Sequence, residues 1–404
     1  MRGFEKKADI ESALETLRSC VEPVGEESVA LEVALGRTLA RDVVSGEDVP
    51  AFDKSAVDGY AVRAAETFGA SPTDPASFRL TGDVLPGMSE EVEVGPGEAV
   101  RIMTGGVFPR GADAVLMVEH ASEDDGRVQA HAPVVPGRNV ARAGEDIRRG
   151  QKVLERGRVL KPQDIGVLAS IRMVEIPVSR RPVVGILSTG DELVEPGAAD
   201  AGRKGRVVNS CRYVLAGLVA QTGGSPRWLG TLPDDRERLR AALLGFDGDV
   251  LLTTGATSTG KEDHLPGLLA EVGELLVHGV NMRPGSPTGF GRIGTTPAVL
   301  LPGNPVAAVV GFDVFVRPLL QLQLGQREER PNPRVRGRLR RKIASALNRI
   351  DFVRVRMVGE AEVEPVRTGG SGVLTSVTAA DGFVIVERDD EGLEAGTEVE
   401  VFLY

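Results

Sequence analysis

The chain is short of the residue types that several classes of function require. It has two cysteines in 404 residues, Cys20 and Cys211, far apart and in no CxxC pair. That excludes a cysteine-built zinc site and leaves only a thin disulfide framework, so a reducing, cytoplasmic setting is expected. The four histidines, His120, His131, His264 and His278, lack metal-ligand spacing, and no Ser/His/Asp or Cys/His arrangement stands out. Aromatic residues make up 4%, too few for the stacking platforms that hold single-stranded nucleic acid. Positive charge does not dominate either. The formal net charge is -10, which disfavours nucleic acid as a partner. Long apolar runs are also missing. The opening MRGFEKKADIESALETL has no apolar signal region, and PAVLLPGNPVAAVVGFDVF (297–315) is broken by PGNP and Asp313. It reads as strand, loop and helix, and no membrane partner is expected.

What is present is glycine, proline and alternating secondary structure. Fifty glycines and twenty-five prolines imply many turns, and 404 residues exceed what one core usually serves. Asp9 is placed to cap a first helix, with Ile10, Ala13, Leu14, Leu17 and Val21 at helical spacing. From about 75 to 145, short β-prone runs alternate with Gly and Pro turns, as in a small β domain. RRGQKVLERGRVLKPQDIGVLASI then returns to helix-compatible text, so the β domain is an insertion. From 180, apolar runs (VVGIL, DVLLTTG, AVLL) alternate with helical segments. That pattern predicts an α/β unit with a mostly parallel sheet, whose ligands bind beyond the carboxyl ends of the strands. The text after 326 is β-rich again. Its basic run at 334–342 tempts a nucleic-acid reading, but Val335 and Leu339 alternating with charges fit one wet strand face better.

The loops after the parallel strands hold the chemistry. LSTGDELVEPG offers Thr189 and Gly190 as phosphate donors, with Asp191 and Glu192 as oxygen ligands for Mg²⁺. The bland alternative has Asp191 capping a helical turn. TTGATSTGKEDH repeats the formula with Gly255, Gly260, hydroxyls and Asp263, and it is not a P-loop, because no GKS or GKT closes it. LPGNP opens a helix with Asn304 placed as N-cap and Pro305 at the first helical position, a reading complete without a ligand. RPGSP (283–287) adds Arg283 in a rigid turn.

VPAFDKSAVDGYAVR, RIMTGGVFPRGADAVLMVE, GEDIRRG, ILSTGDELV, a strand and loop ending GKED, and LPGNPVAAVVGF appear in this order. Together they resemble the molybdopterin molybdenumtransferase (MoeA, gephyrin E-domain) family over nearly the whole chain. The resemblance implies an α/β multidomain protein. A discontinuous N-terminal helical and mixed domain would take 1–48 and 144–179, with an inserted β domain at 49–143. A MogA-like molybdopterin-binding α/β domain would take 180–325, and a C-terminal β-barrel 326–404. It implies an elongated homodimer, with the cleft between the α/β domain of one subunit and the β domain of the other. The implied reaction inserts molybdenum from molybdate into adenylated molybdopterin and releases AMP, with Mg²⁺. A MogA-like adenylyltransferase and recipient molybdoenzymes are the implied partners.

Matched motif by motif, the family's functional groups fall on Asp58, Thr104, Asp146, Glu192, Asp234 and Asp263, with Arg283 as the cation and Ser371 in the C-terminal glycine-rich stretch. Asp58, Glu192 and Asp263 are the expected metal carboxylates. Thr189, Gly190, Asp191, Gly255, Thr257, Ser258, Ser286, Pro302, Gly303 and Asn304 are the expected binding residues. So many carboxylates around an anionic substrate need cations, or raised pKa values for proton transfer. Three positions depart from the family pattern. GATSTG replaces GGVSVG, so Ala256 and Thr257 stand for Gly and Val; at φ > 0 such an Ala costs roughly 1–2 kcal/mol. RPGSP replaces KPGKP, so Ser286 loses a charge worth roughly 1.5–3 kcal/mol as one charged hydrogen bond. Ala141 replaces the arginine of GxNxR, with Arg138 and Arg142 beside it and Lys261 as another compensating cation. The first expectation is therefore a molybdenum insertase. The alternatives are a paralogue tuned to another oxyanion such as tungstate, or a low-turnover scaffold that binds molybdopterin or a nucleotide.

Overall fold

The computed structural model describes residues 7–88, 91–255, 264–326, 332–359, 361–366 and 372–404. Its centre is a six-stranded sheet. Strand Val183–Thr189 lies between Ser225–Leu232 and Val250–Thr254, and beyond these come Thr296–Leu301, Gly289–Ile293 and Glu274–His278. The first four strands pair in parallel and the last two antiparallel. The mostly parallel expectation holds, with an antiparallel edge. Both faces are covered, which is why these strands read as continuous apolar runs. Val184, Ile186, Val250, Leu252 and Val299 face a cluster with Leu215, Val219, Phe312 and Phe315. Leu187, Leu251, Ala298 and Leu300 face the opposite way, onto Leu239, Leu243, Leu268 and Leu269.

Helix Cys211–Gln221 ends where Gly223 takes φ +98°. The helical stretch Pro305–Gln323 is long and apolar enough by composition to cross a membrane, but 67% of its window is buried inside this protein. The first helix, Ile10–Arg18, buries Ala13 and Leu17 in the α/β core rather than with the segment that follows it. Asp9 stands at its N-cap without a side-chain cap bond, and its carboxylate instead accepts from Asn281 Nδ2 at 3.2 Å.

Flanking segments share a core around Leu39, Leu160, Leu168 and Ile176, and strand Glu26–Ala30 pairs antiparallel with Glu175–Ser179. Between them lies a second six-stranded sheet. In it Gly59–Val62 sits between Ala114–Met117 and Glu98–Ile102, over the buried Tyr60, Val62, Phe78 and Leu116. In the C-terminal region Arg334–Leu339, Glu362–Pro365, Ile350–Val358, Gly382–Val386 and Glu398–Leu403 pair in a closed ring, so the barrel has no free edge there. Val355, Val363, Val384, Val399 and Val401 fill it. A two-residue strand, Met282–Arg283, pairs in parallel with Ile350–Asp351 and stitches the α/β domain to the barrel.

Candidate functional site

Parallel strands deliver their carboxyl ends to one rim, and that rim carries the loops singled out above. Thr189, 2% exposed, donates its hydroxyl to Asp234 Oδ1 at 2.6 Å. Asp234 N–H donates to Asp191 Oδ1 at 3.3 Å. The bland role for Asp191, capping a helical turn, is therefore not the one it takes. The adjacent acids of LPDD divide the work. Asp235 caps helix Arg236–Leu244, accepting from Arg238 N at 2.8 Å, while Asp234 turns to the rim. Glu192 folds over Gly190, where a Cβ would meet Glu192 Oε2 at 2.7 Å.

Gly255 fixes the next loop against this one. Its φ is +93°, and a Cβ there would lie 2.1 Å from the Thr189 carbonyl oxygen. Only glycine fits such an approach. Gly303 packs onto Gly255 in turn, with its Cβ position 3.4 Å from Gly255 Cα. Asn304 begins helix Pro305–Gly311 without a side-chain cap bond, so capping does not account for its amide. A Cβ on Gly372 would lie 3.6 Å from Asn304 Oδ1. Thr257, Ser258, Asp263 and Ser371, expected at the site, and Lys261, expected as a compensating cation, lie outside the described residues.

Beyond Asn304 the surface changes sign. A cavity of about 980 Å³ opens between the RPGSP turn, the LPGNP loop and the barrel, large enough for a nucleotide-sized ligand. It is lined by Arg283, Ser286, Pro302 and Asn304 together with Lys7, Arg341, Lys342, Arg349, Asp351 and Arg354. The turn is pinned by Val280 N to Ser286 O at 2.9 Å and Thr288 N to Gly285 O at 2.8 Å. The barrel cations were not singled out in the sequence. The available signal was the basic run at 334–342, in which Arg334 and Arg336 lie along a strand face and Arg340 just past its end, paired with Glu400, Glu398 and Glu362. Arg341 and Lys342, at its end, reach the cavity.

Asp58 and Thr104 form a separate unit in the inserted β sheet. Asp58 precedes strand Gly59–Val62, and the tight MTGG turn presents Thr104 to it. Asp58 Oδ1 accepts from both Thr104 N and Thr104 Oγ1 at 2.7 Å. These two bonds, the backbone N–H first, hold the Asp58 carboxyl below its ordinary range. A raised pKa, one of the two ways allowed above for crowded carboxylates, is not what Asp58 has. Asp146 is exposed on a turn whose N–H groups return to the carbonyl of Val49. Beside it Arg142 Nη1 pairs with Asp53 Oδ2 at 2.6 Å, while Ala141 is buried against Lys54. Among the described residues no group of three His, Cys, Asp or Glu side chains converges to hold a metal ion. Asp191, Glu192 and Asp234 are nonetheless oxygen donors of the kind Mg²⁺ takes singly or in pairs while bridging to phosphates.

The buried thiol nearby is not a nucleophile at neutral pH. Cys211 Sγ donates to the Gly303 carbonyl at 3.3 Å, and burial pushes the thiol up to about 11.

Comparison with known proteins covers nearly the whole chain. Residues 8–171 match the "MoeA N-terminal region (domain I and II)", 185–322 the "Probable molybdopterin binding domain", and 336–404 the "MoeA C-terminal region (domain IV)". A molybdopterin molybdenumtransferase of Bacillus subtilis is 36% identical over 388 residues, covering 93% of this chain and 89% of that protein. One from Haemophilus influenzae is 32% identical over 386 residues, covering 94% of each. The crystal structure of a molybdopterin biosynthesis moeA protein from Pyrococcus horikoshii superposes with a TM-score of 0.88 at 32% identity, covering 99% of this chain and 100% of that one.

Proposed function

This chain belongs to the MoeA family and is a MoeA-type molybdenumtransferase of molybdenum cofactor biosynthesis, and from that premise we propose that it acts on adenylated molybdopterin and molybdate and releases AMP. One observation carries this reading. Gly255, packed against Thr189 of the acidic rim, also meets Gly303, whose chain neighbours Pro302 and Asn304 line the cationic cavity. A phosphoanhydride between two bulky halves needs cations for its phosphates and proton-handling groups beside them.

In this reading Arg283, Ser286, Pro302, Gly303, Asn304 and Ser371 receive the anionic groups. Thr189, Gly190, Asp191, Gly255, Thr257 and Ser258 hold the phosphate side at the strand ends. Asp58, Thr104, Asp146, Glu192, Asp234 and Asp263 act at the reacting centre, and Asp58, Glu192 and Asp263 hold Mg²⁺. A bound divalent cation supplies charge neutralisation at the phosphoanhydride. Water adds to phosphorus, the P–O bond breaks and AMP leaves. Two Mo–S bonds form as one oxide of molybdate departs as water with the two thiol protons. Asp58, kept ionised by Thr104, orients and binds; it does not donate a proton.

The same reading takes the protein as a cytoplasmic homodimer in which the Asp58–Thr104 pair of one subunit faces the strand-end loops of the other. The partition into 1–48 with 144–179, 49–143, 180–325 and 326–404 goes with it, supported by separate apolar clusters in the flanking segments, the inserted sheet and the barrel, except that helix Ile10–Arg18 packs in the α/β core. The test is AMP release from adenylated molybdopterin by the purified protein, with molybdate or tungstate. We expect AMP only when oxyanion and Mg²⁺ are both supplied, and none after chelation with EDTA. Release with tungstate alone would identify a paralogue tuned to that oxyanion. Ligand binding without release under either would leave a low-turnover binding protein.

A further inference from the structure

One position that the sequence marks and the proposed function leaves aside is Asp313, the single charge in the apolar stretch 297–315. It lies in the helical stretch Pro305–Gln323, and the turn that carries it, Phe312–Val316, is of the wider π type. Such turns are rare and frequently mark functional sites. A nearly buried carboxylate in so apolar a helix calls for a physical reason. We infer that Asp313 and Gln321 form the polar end of a second ligand site, which takes a neutral, flat heteroaromatic ring presenting an N–H donor beside an acceptor. The site lies outside the residues assigned to the reaction, and the inference does not rest on the insertase reading.

Three observations support it. The first is a cavity of about 340 Å³ between this helix and the outer face of the barrel. Pockets for small molecules start at roughly that size, about 300 Å³. Val310 and Val314 give its helix wall, and Phe352, Phe383 and Phe402 its barrel wall. Phe383 stacks on Phe402 with ring centroids 5.3 Å apart, and Phe352 meets Phe383 edge-on at 5.6 Å. A wall of rings suits a flat apolar body. Only Phe352 is shared with the cationic cavity described above. At the other end Asp313, Arg317 and Gln321 also line a larger cavity of about 1070 Å³, which gives a ligand a way in.

The second is unmet hydrogen bonding. Arg317 donates to Asp313 from Nε at 3.1 Å and from Nη2 at 2.5 Å, both times to Oδ1. Oδ2 has no hydrogen bond among the described residues, although the Asp313 side chain is only 11% exposed. Gln321 is 6% exposed, and its side-chain amide makes no hydrogen bond among them either. Buried polar groups are rarely left unpaired in native proteins. A ligand N–H answers Asp313 Oδ2, and a ligand carbonyl or ring nitrogen answers the Gln321 amide. The third is charge. Arg317 already matches Asp313. Arg334, over the Phe402 ring at 4.8 Å and paired with Glu400, adds a second guanidinium to the wall. The two guanidiniums disfavour an ammonium and the carboxylate disfavours an anion, so a neutral donor is the matching ligand.

Quinolin-2-one is the probe, since it is flat and neutral and carries an N–H next to a carbonyl. Its N-methyl derivative lacks the donor, and benzylammonium carries a full charge. Calorimetry measures all three against the full-length protein and against D313N, Q321M and V314F, the last of which fills the cavity. Melting temperatures are recorded alongside. We expect quinolin-2-one to bind the wild type, and the other two compounds to bind about tenfold more weakly or worse. D313N should weaken quinolin-2-one by about ten- to a hundredfold and Q321M by about two- to tenfold, and V314F should abolish its binding. No binding of quinolin-2-one to the wild type overturns the inference. So does equal binding of its N-methyl derivative, tighter binding of benzylammonium, or an unchanged affinity in Q321M and V314F. D313N leaves Arg317 without its partner, so where it fails to fold, Q321M decides, because it keeps that pair intact.

Discussion

Asp58 illustrates how one residue's chemistry follows from its neighbours. An exposed carboxylate would titrate near its ordinary value of about 4. Here the backbone N–H and hydroxyl of Thr104 both donate to one oxygen, stabilising the anion. Asp58 is therefore ionised throughout the physiological range, and no acidic limb between pH 5 and 8 arises from it. D58N keeps the shape but removes the charge. We expect AMP release to fall about a hundredfold or more, within the range of lost electrostatic stabilisation, with an unchanged melting temperature. T104V removes only the hydroxyl and should move the Asp58 titration up toward the ordinary value, read by carboxyl-carbon NMR. A titration that stays put, or a D58N enzyme with full activity, would contradict the assignment.

At the scale of elements, the strand-end loops depend on backbone contacts that a side chain would block. Gly255 against the Thr189 carbonyl is the tightest, and Gly303 follows it. Helix ends show the complementary device. Asp164 is nearly buried at the first turn of helix Pro162–Ser170, accepts from Lys161 N at 2.9 Å, and holds Arg158 through two bonds at 2.9 Å. Burial alone would raise its pKa, but the Arg158 hydrogen bonds and the Lys161 N–H outweigh that and lower it. D164A should destabilise the fold by about 1–3 kcal/mol, the range for a lost cap and a broken charged hydrogen bond. Because the folded pKa is depressed, this stabilisation is present above about pH 4 and fades as pH drops below it. Denaturation of wild type and D164A at pH 7 and at pH 3 tests this. A gap between them that is equally wide at pH 3 would rule it out.

At the scale of the whole molecule, one chain holds two sets of candidate carboxylates that make no hydrogen bond to each other among the described residues. One is the Asp58–Thr104 pair in the inserted sheet, the other the Thr189–Asp234–Asp191 rim. The proposed dimer would bring the first set of one subunit to the second set of the other. D58N and D234N should each be inactive alone. Refolded or co-expressed together, they should recover about a quarter of wild-type activity, because half the dimers are mixed and each mixed dimer has one intact cleft. No recovery in mixed dimers would place both sets in a single-chain site.

Much of this architecture is determined by sequence alone, because its causes are local. Apolar runs between helical segments mean a sheet covered on both faces. Alternation after 326 means strands with one wet face, and the closing of those strands into a barrel is what the family resemblance implied. Asp58 and Thr104 were each named through the family resemblance; that they meet follows from the pairing of Gly59–Val62 with Glu98–Ile102. The first α-helix is a counterexample. Its pattern shows an amphipathic helix but not which core receives it, and it joins the α/β core. The role of Asn304 was likewise read as a cap on local grounds, and the cap bond is absent. What only the tertiary structure decided are the contacts between residues far apart in sequence. Thr189 meets Asp234 because two parallel strands end side by side. Arg341 and Lys342 reach Ser286's cavity because the barrel docks on the α/β domain through Met282–Arg283. Periodicity records which face of an element is apolar, and it is silent about which distant element arrives at the polar end. For that reason Lys261 could be named from the sequence as a compensating cation, and the barrel residues that line the cavity could not.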